Sequence, residues 1–470
     1  MKLGRATILL LLSQTIVLAS GLAVNLGLAR LLGVVEYGNY GLVISVLVVI
    51  EIFVIAGIPE VIQKFGGEQP EAMAQLVRQT LRWQMLYTVL LYGGLWLATP
   101  LLVRDESLIA LLRIAGLDII VYGLYKYFLG VQNGLHRFQP YSWLGIIYAL
   151  SRAIAILGLV ALGFSVQGAL IGNIIASCAG LLFALFWYRP PRVETAPMPV
   201  RYGAWALQNV LYSFGLNTLF AIDLWLIKYF LSEHEVGLYV SVSVLAKLSY
   251  LMSIAVSVML LPSLARATAQ QQEQRSEELI RDTLRYLLIF LTLLNLVVAL
   301  FAKEIIALLF GAQFADAANV LVWLMAGHSC ITLMAVSNTV MIARNMMHTC
   351  FVRVLALVAL DVALNFALVP RFQLLGGALA TSLVGVLGAA LALWHIRREA
   401  KPLLFSWSIP RMLGVALGVY IIAQSVAFAS VDFIAKAIVL TGLYFLLLWM
   451  SKEISAVDLR RLRESLGVPK

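Results

Sequence analysis

Apolar segments of about 20 residues recur along almost the whole chain, and this recurrence constrains the fold more than any other feature. The polar connections between them are short, and none is long enough to form a domain. Of the 470 residues, 62% are hydrophobic and 12% are charged, whereas a globular protein has about 25% charged residues. A water-soluble fold cannot bury so much apolar surface. The sequence therefore excludes a soluble enzyme, a secreted disulfide scaffold and a disordered chain.

Fourteen segments have the length and composition of transmembrane helices. They are residues 7–30, 38–62, 84–103, 108–131, 141–162, 167–188, 203–230, 236–262, 283–302, 317–343, 352–369, 374–395, 411–429 and 433–450. The connections around Ser165 and Ser430 are short enough for helical hairpins. The predicted fold class is an all-α polytopic membrane protein with about 14 transmembrane helices.

The formal charge of +10 does not indicate nucleic-acid binding, because the basic residues follow the predicted topology. With the N-terminus inside, 24 of the 34 lysines and arginines fall in inside segments, 6 in outside segments and 4 within spans. Cytoplasmic loops of membrane proteins carry such an excess. We therefore expect a multi-pass protein of the cell (inner or plasma) membrane, in contact with membrane lipids, with both termini in the cytoplasm.

An internal repeat is indicated by the motif E-x-G-x-Y, which occurs at residues 36–40 and again, six spans later, at 235–239. A second recurring motif is the sequence GAL, at residues 168–170 and 377–379, at the start of spans six and twelve. Because six is even, the two halves share one orientation, which predicts a parallel repeat. The predicted domains are an N-lobe (1–190), a cytoplasmic linker (191–202), a C-lobe (203–398), a two-helix appendage (399–450) and a basic cytoplasmic tail (451–470).

These motifs also carry a family resemblance. RLLG at residues 30–33 precedes the first E-x-G-x-Y, and Asp223 lies twelve residues before the second; NFALVP at 365–370 precedes GGALAT at 376–381. The pattern resembles polysaccharide transporters, the lipid-linked oligosaccharide (O-antigen type) flippases of the multidrug/oligosaccharidyl-lipid/polysaccharide exporter superfamily. The resemblance runs from about residue 5 to residue 400. It implies a V-shaped pair of six-helix lobes that flips an isoprenyl-diphosphate-linked oligosaccharide to the outer leaflet for cell-surface polysaccharide biosynthesis.

Three alternatives stay open at this point. A cation-coupled multidrug or metabolite antiporter of the same superfamily is disfavoured by the two extra spans, since such exporters have twelve. A flippase of the peptidoglycan lipid precursor has fourteen, but it carries several arginines in its first two spans. Here span one has no charge between Arg5 and Arg30, and span two carries Glu51. A polytopic glycan polymerase or ligase would need a large outside loop.

Eight ionisable residues lie well inside the predicted spans, where charges are costly and face a cavity or a partner. The predicted substrate-binding cations are Lys247, Arg152, Lys126 and Arg113. The predicted residues for lobe gating or ion coupling are Glu51, Asp118, Asp223 and Asp361. Arg344 and Arg353 are predicted at the cytoplasmic mouth, where they also serve as topology signals. Four acids and four bases can equally form buried pairs that fix helix packing.

Position refines these assignments. The two copies of E-x-G-x-Y are 199 residues apart. This repeat offset puts Glu51 and Lys247 at similar depth in opposite lobes, which suggests an ion pair that forms and breaks between the lobes. Asp118, Tyr122 and Lys126 follow at i, i+4 and i+8 on one face of span four. Arg113 lies about 140° from Asp118 around that helix and is expected to serve another contact. Lysine and arginine suit a diphosphate because they offer charge together with hydrogen-bond donors.

The sequence lacks the motifs of several enzyme classes. There is no Walker loop, no nucleophile elbow, and no ligand spacing among the histidines and cysteines. We therefore expect a transporter without catalytic residues, metal or cofactor. Its energy source is an ion gradient, the membrane potential or the gradient of the substrate itself, and H+ and Na+ are the candidate coupling ions. A glycan polymerase or glycosyltransferases are candidate partners.

Overall fold

The computed structural model describes residues 3–68, 73–188, 202–270, 272–344, 346–397, 408–425 and 433–454. Each predicted span overlaps a helix in this part of the chain. The helices are α1 (Leu3–Ile55), α2 (Ile58–Glu68), α3 (Met73–Leu102), α4 (Glu106–Gly134), α5 (Phe138–Leu159), α6 (Ser165–Phe186), α7 (Tyr202–Thr218), α8 (Ile222–Phe230), α9 (Glu233–Ala269), α10 (Glu273–Leu309), α11 (Ala318–Ala343), α12 (Met347–Phe372), α13 (Leu374–His395), α14 (Ser408–Ser425) and α15 (Phe433–Met450).

Among the described residues, ten helical stretches are long and apolar enough to cross a membrane, and eleven if the bent pair α7–α8 is one span. Two of these stretches, Leu12–Gly67 and Phe138–Phe186, contain 56 and 49 residues. Each is long enough for two crossings at about 20 residues per crossing. The predicted class, an all-α polytopic membrane protein, is confirmed. The count of fourteen spans stays a prediction.

Two local breaks divide long helical stretches into separate segments. Within α1, Gly33 has φ 76° and ψ −178°, a conformation that glycine adopts because it has no Cβ. The break separates the predicted spans one and two, so residues 36–40 open the second segment. Between α7 and α8 the axis bends by 44°. This bend places Asp223 in the first turn of the short helix α8.

Two helical hairpins close with the same backbone geometry. Between α5 and α6, a π-helical turn (Val160–Phe164) leads to Ser165 with φ 48° and ψ −142°. Between α12 and α13, Gln373 has φ 53° and ψ −133°. Both residues stand three positions before a glycine, Gly168 or Gly376. The hairpin predicted around Ser165 is confirmed, and its geometry recurs in the second half of the chain.

The chain divides into two compact units. Unit 1 comprises Met1–Ser241 and Phe351–Phe366, and unit 2 comprises Val242–Cys350 and Ala367–Lys470. In unit 1, a Cβ added to Gly172 of α6 would lie 2.7 Å from the backbone of Ile156 of α5, so the absence of a side chain permits close helix packing. In unit 2, α14 and α15 pack on α10, and the Tyr444 hydroxyl donates to the Ile289 carbonyl oxygen at 3.1 Å.

Three sequence predictions fall on parts of the chain that the structure does not describe. They are most of the linker (residues 191–201), the turn around Ser430, and most of the basic tail (residues 455–470). The predicted lobe boundaries likewise stay a prediction.

Candidate functional site

Three helices of unit 1 join two predicted site residues, Asp118 and Arg152, through hydrogen bonds. The Arg152 Nε of α5 donates to the Asn173 Oδ1 of α6 at 2.9 Å. The Asn173 Nδ2 in turn donates to the Asp118 Oδ2 of α4 at 2.6 Å. Asp118 is buried, with 1% of its surface exposed. A neutral amide thus joins a buried carboxylate to a guanidinium, which satisfies part of the hydrogen-bonding capacity of each.

Two more charged groups complete this network. Glu51 of α1 is buried and interacts electrostatically with Asp118, Arg152 and Lys126. Lys126 of α4 interacts with Glu51 and also with Glu60 of α2. We call Glu51, Asp118, Lys126, Arg152 and Asn173 the N-terminal charge cluster. Its two carboxylates and two cations balance, which lowers the cost of holding charge inside an apolar helix bundle.

Three tyrosines line the N-terminal charge cluster. The rings of Tyr125 and Tyr148 are stacked, with centroids 5.1 Å apart and an interplanar angle of 15°. The Tyr122 ring lies 5.7 Å from that of Tyr148, and the Lys126 Nζ lies 5.1 Å from the Tyr122 centroid. Ring faces of this kind attract cations and also stack on apolar ligand faces. Cations and aromatic faces therefore meet at one place in α4 and α5.

A second site in unit 1 contains two buried acids. The Asp223 Oδ2 accepts a hydrogen bond from the Tyr239 hydroxyl at 2.6 Å. Asp361 of α12 is fully buried, and its Oδ1 accepts from the Asn365 Nδ2 at 3.0 Å. Asp223 and Asp361 interact electrostatically with each other, so we call them the acidic pair. Like charges held together in a buried site repel, and a bound cation or proton relieves the repulsion.

The acidic pair has unused hydrogen-bonding capacity. The Asp361 Oδ2 and the Asn365 Oδ1 are buried and have no hydrogen-bond partner among the described residues. A buried acceptor without a partner costs free energy, and an ionised one costs more. Carboxylate and amide oxygens are the ligands that hard cations prefer. The arrangement can therefore hold a monovalent cation, or a proton on one carboxyl group.

The other predicted cations lie elsewhere. Arg113 stacks its guanidinium on the Trp96 ring of α3, 4.1 Å from the centroid, which fits the separate contact expected for it. Lys247 of α9 belongs to unit 2, where it interacts with His328 of α11. Arg344 is half-buried at the C-terminal end of α11, and Arg353 is buried near the start of α12. Glu51 belongs to unit 1 and Lys247 to unit 2, and the gating pair predicted between them stays a prediction.

Sequence reasoning missed several polar residues at these sites. Asn173 and His328 lie in apolar runs, and a single amide or imidazole at such a position is the signal that would have marked them. Asn365 entered only as the first residue of the motif at 365–370. The motif tyrosines Tyr40 and Tyr239 were noticed only as markers of the repeat. Tyr40 interacts electrostatically with Arg152, and the Tyr239 hydroxyl donates to the Asp223 Oδ2. Each motif thus reaches one of the two charged sites.

Comparison with known proteins places the chain in a family. Residues 27–319, more than half of the chain, match the family described as polysaccharide biosynthesis protein. The chain belongs to this polysaccharide biosynthesis family. The resemblance read from the motifs is thereby confirmed. A comparison with curated proteins found no match.

Solved structures with the same fold are transporters. The lipid II flippase MurJ, in an inward closed conformation, has a TM-score of 0.74 at 15% identity, covering 94% of this chain and 98% of MurJ. An inward-facing multidrug resistance transporter of the MATE family and MOP superfamily has a TM-score of 0.64 at 15% identity, covering 81% and 94%. A MOP superfamily transporter from Pyrococcus furiosus has a TM-score of 0.59 at 14% identity, covering 85% and 96%. This member of the polysaccharide biosynthesis family is therefore a multi-pass membrane protein with a transporter fold.

Proposed function

We propose that the protein is a flippase that moves an isoprenyl-diphosphate-linked oligosaccharide from the cytoplasmic to the outer leaflet by alternating access. The N-terminal charge cluster carries this proposal. Arg152 and Lys126 lie inside apolar helices beside the Tyr122, Tyr125 and Tyr148 rings. A diphosphate is bound well by cations that donate hydrogen bonds in a site of low dielectric constant. Tyrosine faces suit the apolar faces of sugar rings.

Alternating access in this proposal uses two lobes, residues 1–190 and 203–398, as a parallel repeat. Two observations support the repeat: the recurrence of E-x-G-x-Y, and the matching backbone at Ser165 and Gln373. The acidic pair supplies a candidate coupling site for H+ or Na+, and the flippase acts as a transporter rather than as an enzyme. Arg344 and Arg353 attract the anionic head group at the cytoplasmic mouth.

A second candidate function is flipping of the peptidoglycan lipid precursor, because the fold resembles that of the lipid II flippase MurJ over 94% of the chain. The family match favours the polysaccharide substrate. Export of cationic drugs, the third candidate, is disfavoured because the family match is to a polysaccharide biosynthesis protein.

The test of function uses purified full-length protein in liposomes with a fluorescent oligosaccharide on isoprenyl diphosphate, and dithionite to quench the exposed leaflet. We expect flipping well above that of empty liposomes, and slower flipping of fluorescent lipid II. Flipping of lipid II alone would overturn the proposal in favour of the second candidate. ATP-free efflux of a cationic dye, with no flipping of either lipid, would favour the antiporter.

Topology is a separate prediction. We expect the protein in the inner or plasma membrane with both termini in the cytoplasm, because the basic residues cluster on that side of the predicted map. Reporter fusions after residues 200 and 460 should both be active as cytoplasmic reporters and silent as periplasmic ones. A fusion after Ser165, in the α5–α6 turn, is the matched control and should give the opposite signal. A periplasmic signal after residue 200 or 460 would contradict the map.

A further inference from the structure

The two copies of the E-x-G-x-Y motif pack against each other inside unit 1. A Cβ added to Gly38 of the first motif would lie 2.7 Å from the backbone nitrogen of Gly237 of the second. A Cβ on Gly237 would overlap the carbonyl oxygen of Val34. One helical turn further along, Gly41 contacts the side chain of Val240. The helices α1 and α9 therefore meet at backbone distance, which only glycine permits.

The tyrosine of each motif extends from this contact to a different charged site. Tyr40 stands two residues after Gly38 and interacts electrostatically with Arg152 of the N-terminal charge cluster. Tyr239 stands two residues after Gly237, and its hydroxyl donates to the Asp223 Oδ2 at 2.6 Å. Both tyrosines are buried, with 3% and 0% of their surface exposed. The same motif thus joins the helix contact to both charged sites.

Both tyrosine interactions change in strength when a ligand binds at the charged site. A hydrogen bond to an ionised group is about twice as strong as one between neutral groups. When a cation or proton neutralises Asp223, the bond from Tyr239 weakens. When an anion engages Arg152, it competes with Tyr40 for the guanidinium. Packed helix contacts have discrete arrangements rather than a continuum, so a change in these interactions shifts the equilibrium between a closed and an open contact.

We propose that the paired E-x-G-x-Y motifs form a gate at Gly38 and Gly237, and that Tyr40 and Tyr239 are positioning residues which couple its opening to the two charged sites. The proposal rests on the proposed function for the nature of the ligands, an isoprenyl diphosphate and a monovalent cation or proton. It adds a role for the repeat, because both copies are needed for one contact. The Trp225 Nε1, which donates to the Ser45 Oγ at 2.9 Å, ties α8 to α1 beside this gate.

The test measures gate closure directly by disulfide formation. Cysteines replace Gly41 and Val240, whose side-chain positions are in contact, in a chain whose native Cys178, Cys330 and Cys350 are changed to serine. Copper phenanthroline crosslinks the pair in full-length protein in liposomes. Crosslinking is compared in sodium and choline chloride, at pH 6 and pH 8, and with and without undecaprenyl diphosphate. Each rate at pH 6 and pH 8 is divided by the alkylation rate of the same cysteines at that pH, because the thiolate fraction rises with pH independently of the gate. We expect sodium or the lower pH, and separately the diphosphate, to lower the crosslinking rate about tenfold. Each ligand weakens one charge-assisted interaction that holds the contact closed.

Conservative variants separate coupling from packing. Tyr239→Phe should remove the response to sodium and pH while it keeps the response to undecaprenyl diphosphate, and Tyr40→Phe should do the reverse. Tyr37→Phe is the matched control, because Tyr37 is a buried motif residue whose hydroxyl donates to the Asn25 Oδ1 rather than to a charged site. Its crosslinking should respond as the parent does. A parent that responds to neither ligand, or tyrosine variants that respond fully, would overturn the gate. This readout does not use a glycan, so failure of the flipping assay and failure of the gate are distinguishable.

Discussion

Replacing Arg152 with alanine is expected to reduce glycan export by about 10- to 100-fold, the loss expected from one or two charge-assisted hydrogen bonds of about 1.5 kcal/mol each. In the structure this guanidinium donates to Asn173 and interacts with Glu51 and Asp118. A diphosphate bound at the cluster would lose the hydrogen-bond donors of the guanidinium, one of the two cations there. The measurement is cell-surface glycan in a strain that lacks its own flippase, with the amount of protein in the membrane determined alongside.

A charge-balanced double variant distinguishes binding from packing. Arg152→Ala alone leaves Glu51 and Asp118 with one cation fewer, and an uncompensated buried charge can itself unfold the bundle. Arg152→Ala with Glu51→Gln restores the balance. We expect normal protein levels from the double variant, with export reduced as much as in Arg152→Ala alone. Recovery of export would show that Arg152 only neutralises Glu51, which contradicts the binding role.

Two further variants extend this experiment to Lys247, another of the four predicted substrate-binding cations. Lys247→Ala in α9 should abolish export at normal protein level, and Lys247→Arg should keep part of it, since charge matters more than shape in a wet cavity. Arg104→Ala is the control, because Arg104 is an exposed residue between α3 and α4. Export that stays normal in Arg152→Ala and Lys247→Ala would leave structural pairing as the better explanation.

Replacing Asp361 with asparagine is expected to abolish coupling to the driving ion. The Asp361 Oδ2 is buried without a hydrogen-bond partner among the described residues, and the neighbouring Asp223 adds a second negative charge. A cation bound there relieves both costs, and at 100 times its dissociation constant it adds about 2.7 kcal/mol of stability. Asp361→Asn keeps the shape of the side chain and removes the charge that attracts the ion.

The measurement for this variant is thermal unfolding of the purified protein in sodium and choline chloride, and across pH 6 to 8. The wild type should gain stability with sodium or with protons, whichever ion couples, and Asp361→Asn and Asp223→Asn should lose that gain. The control is Asp316→Asn, since Asp316 is an exposed residue between α10 and α11. An undiminished gain in Asp361→Asn would remove the acidic pair from ion coupling, even if export had fallen.

Local features of the sequence were sufficient to predict the helices and part of the N-terminal charge cluster. The spacing of Asp118, Tyr122 and Lys126 predicted one face of α4, and in the structure Lys126 lies over the Tyr122 ring. The angle to Arg113 predicted a separate contact, which proves to be Trp96. Both predictions depend only on the period of a single helix.

Contacts between residues on different helices could not be predicted from the period of a single helix. The pair of Glu51 with Lys247, suggested by the repeat offset, stays a prediction. Within unit 1, Glu51 interacts with Asp118, Lys126 and Arg152, and the sequence did not indicate which of these it would meet. Depth in a span does not specify which neighbouring helix a side chain faces, because that depends on helix rotation and on which small residues allow close approach. Asn173 illustrates this: its link between Arg152 and Asp118 exists only because α4, α5 and α6 pack together.

The sequence by itself determined that this chain is a helical membrane protein of the polysaccharide biosynthesis family, because apolar length, charge bias and local motifs are properties of consecutive residues. It also contained the repeated E-x-G-x-Y. Only the tertiary structure decided that the two copies touch at Gly38 and Gly237 and that their tyrosines reach Arg152 and Asp223. The physical reason is that contact between residues some 200 positions apart depends on the packing of whole helices, and no local pattern encodes that packing.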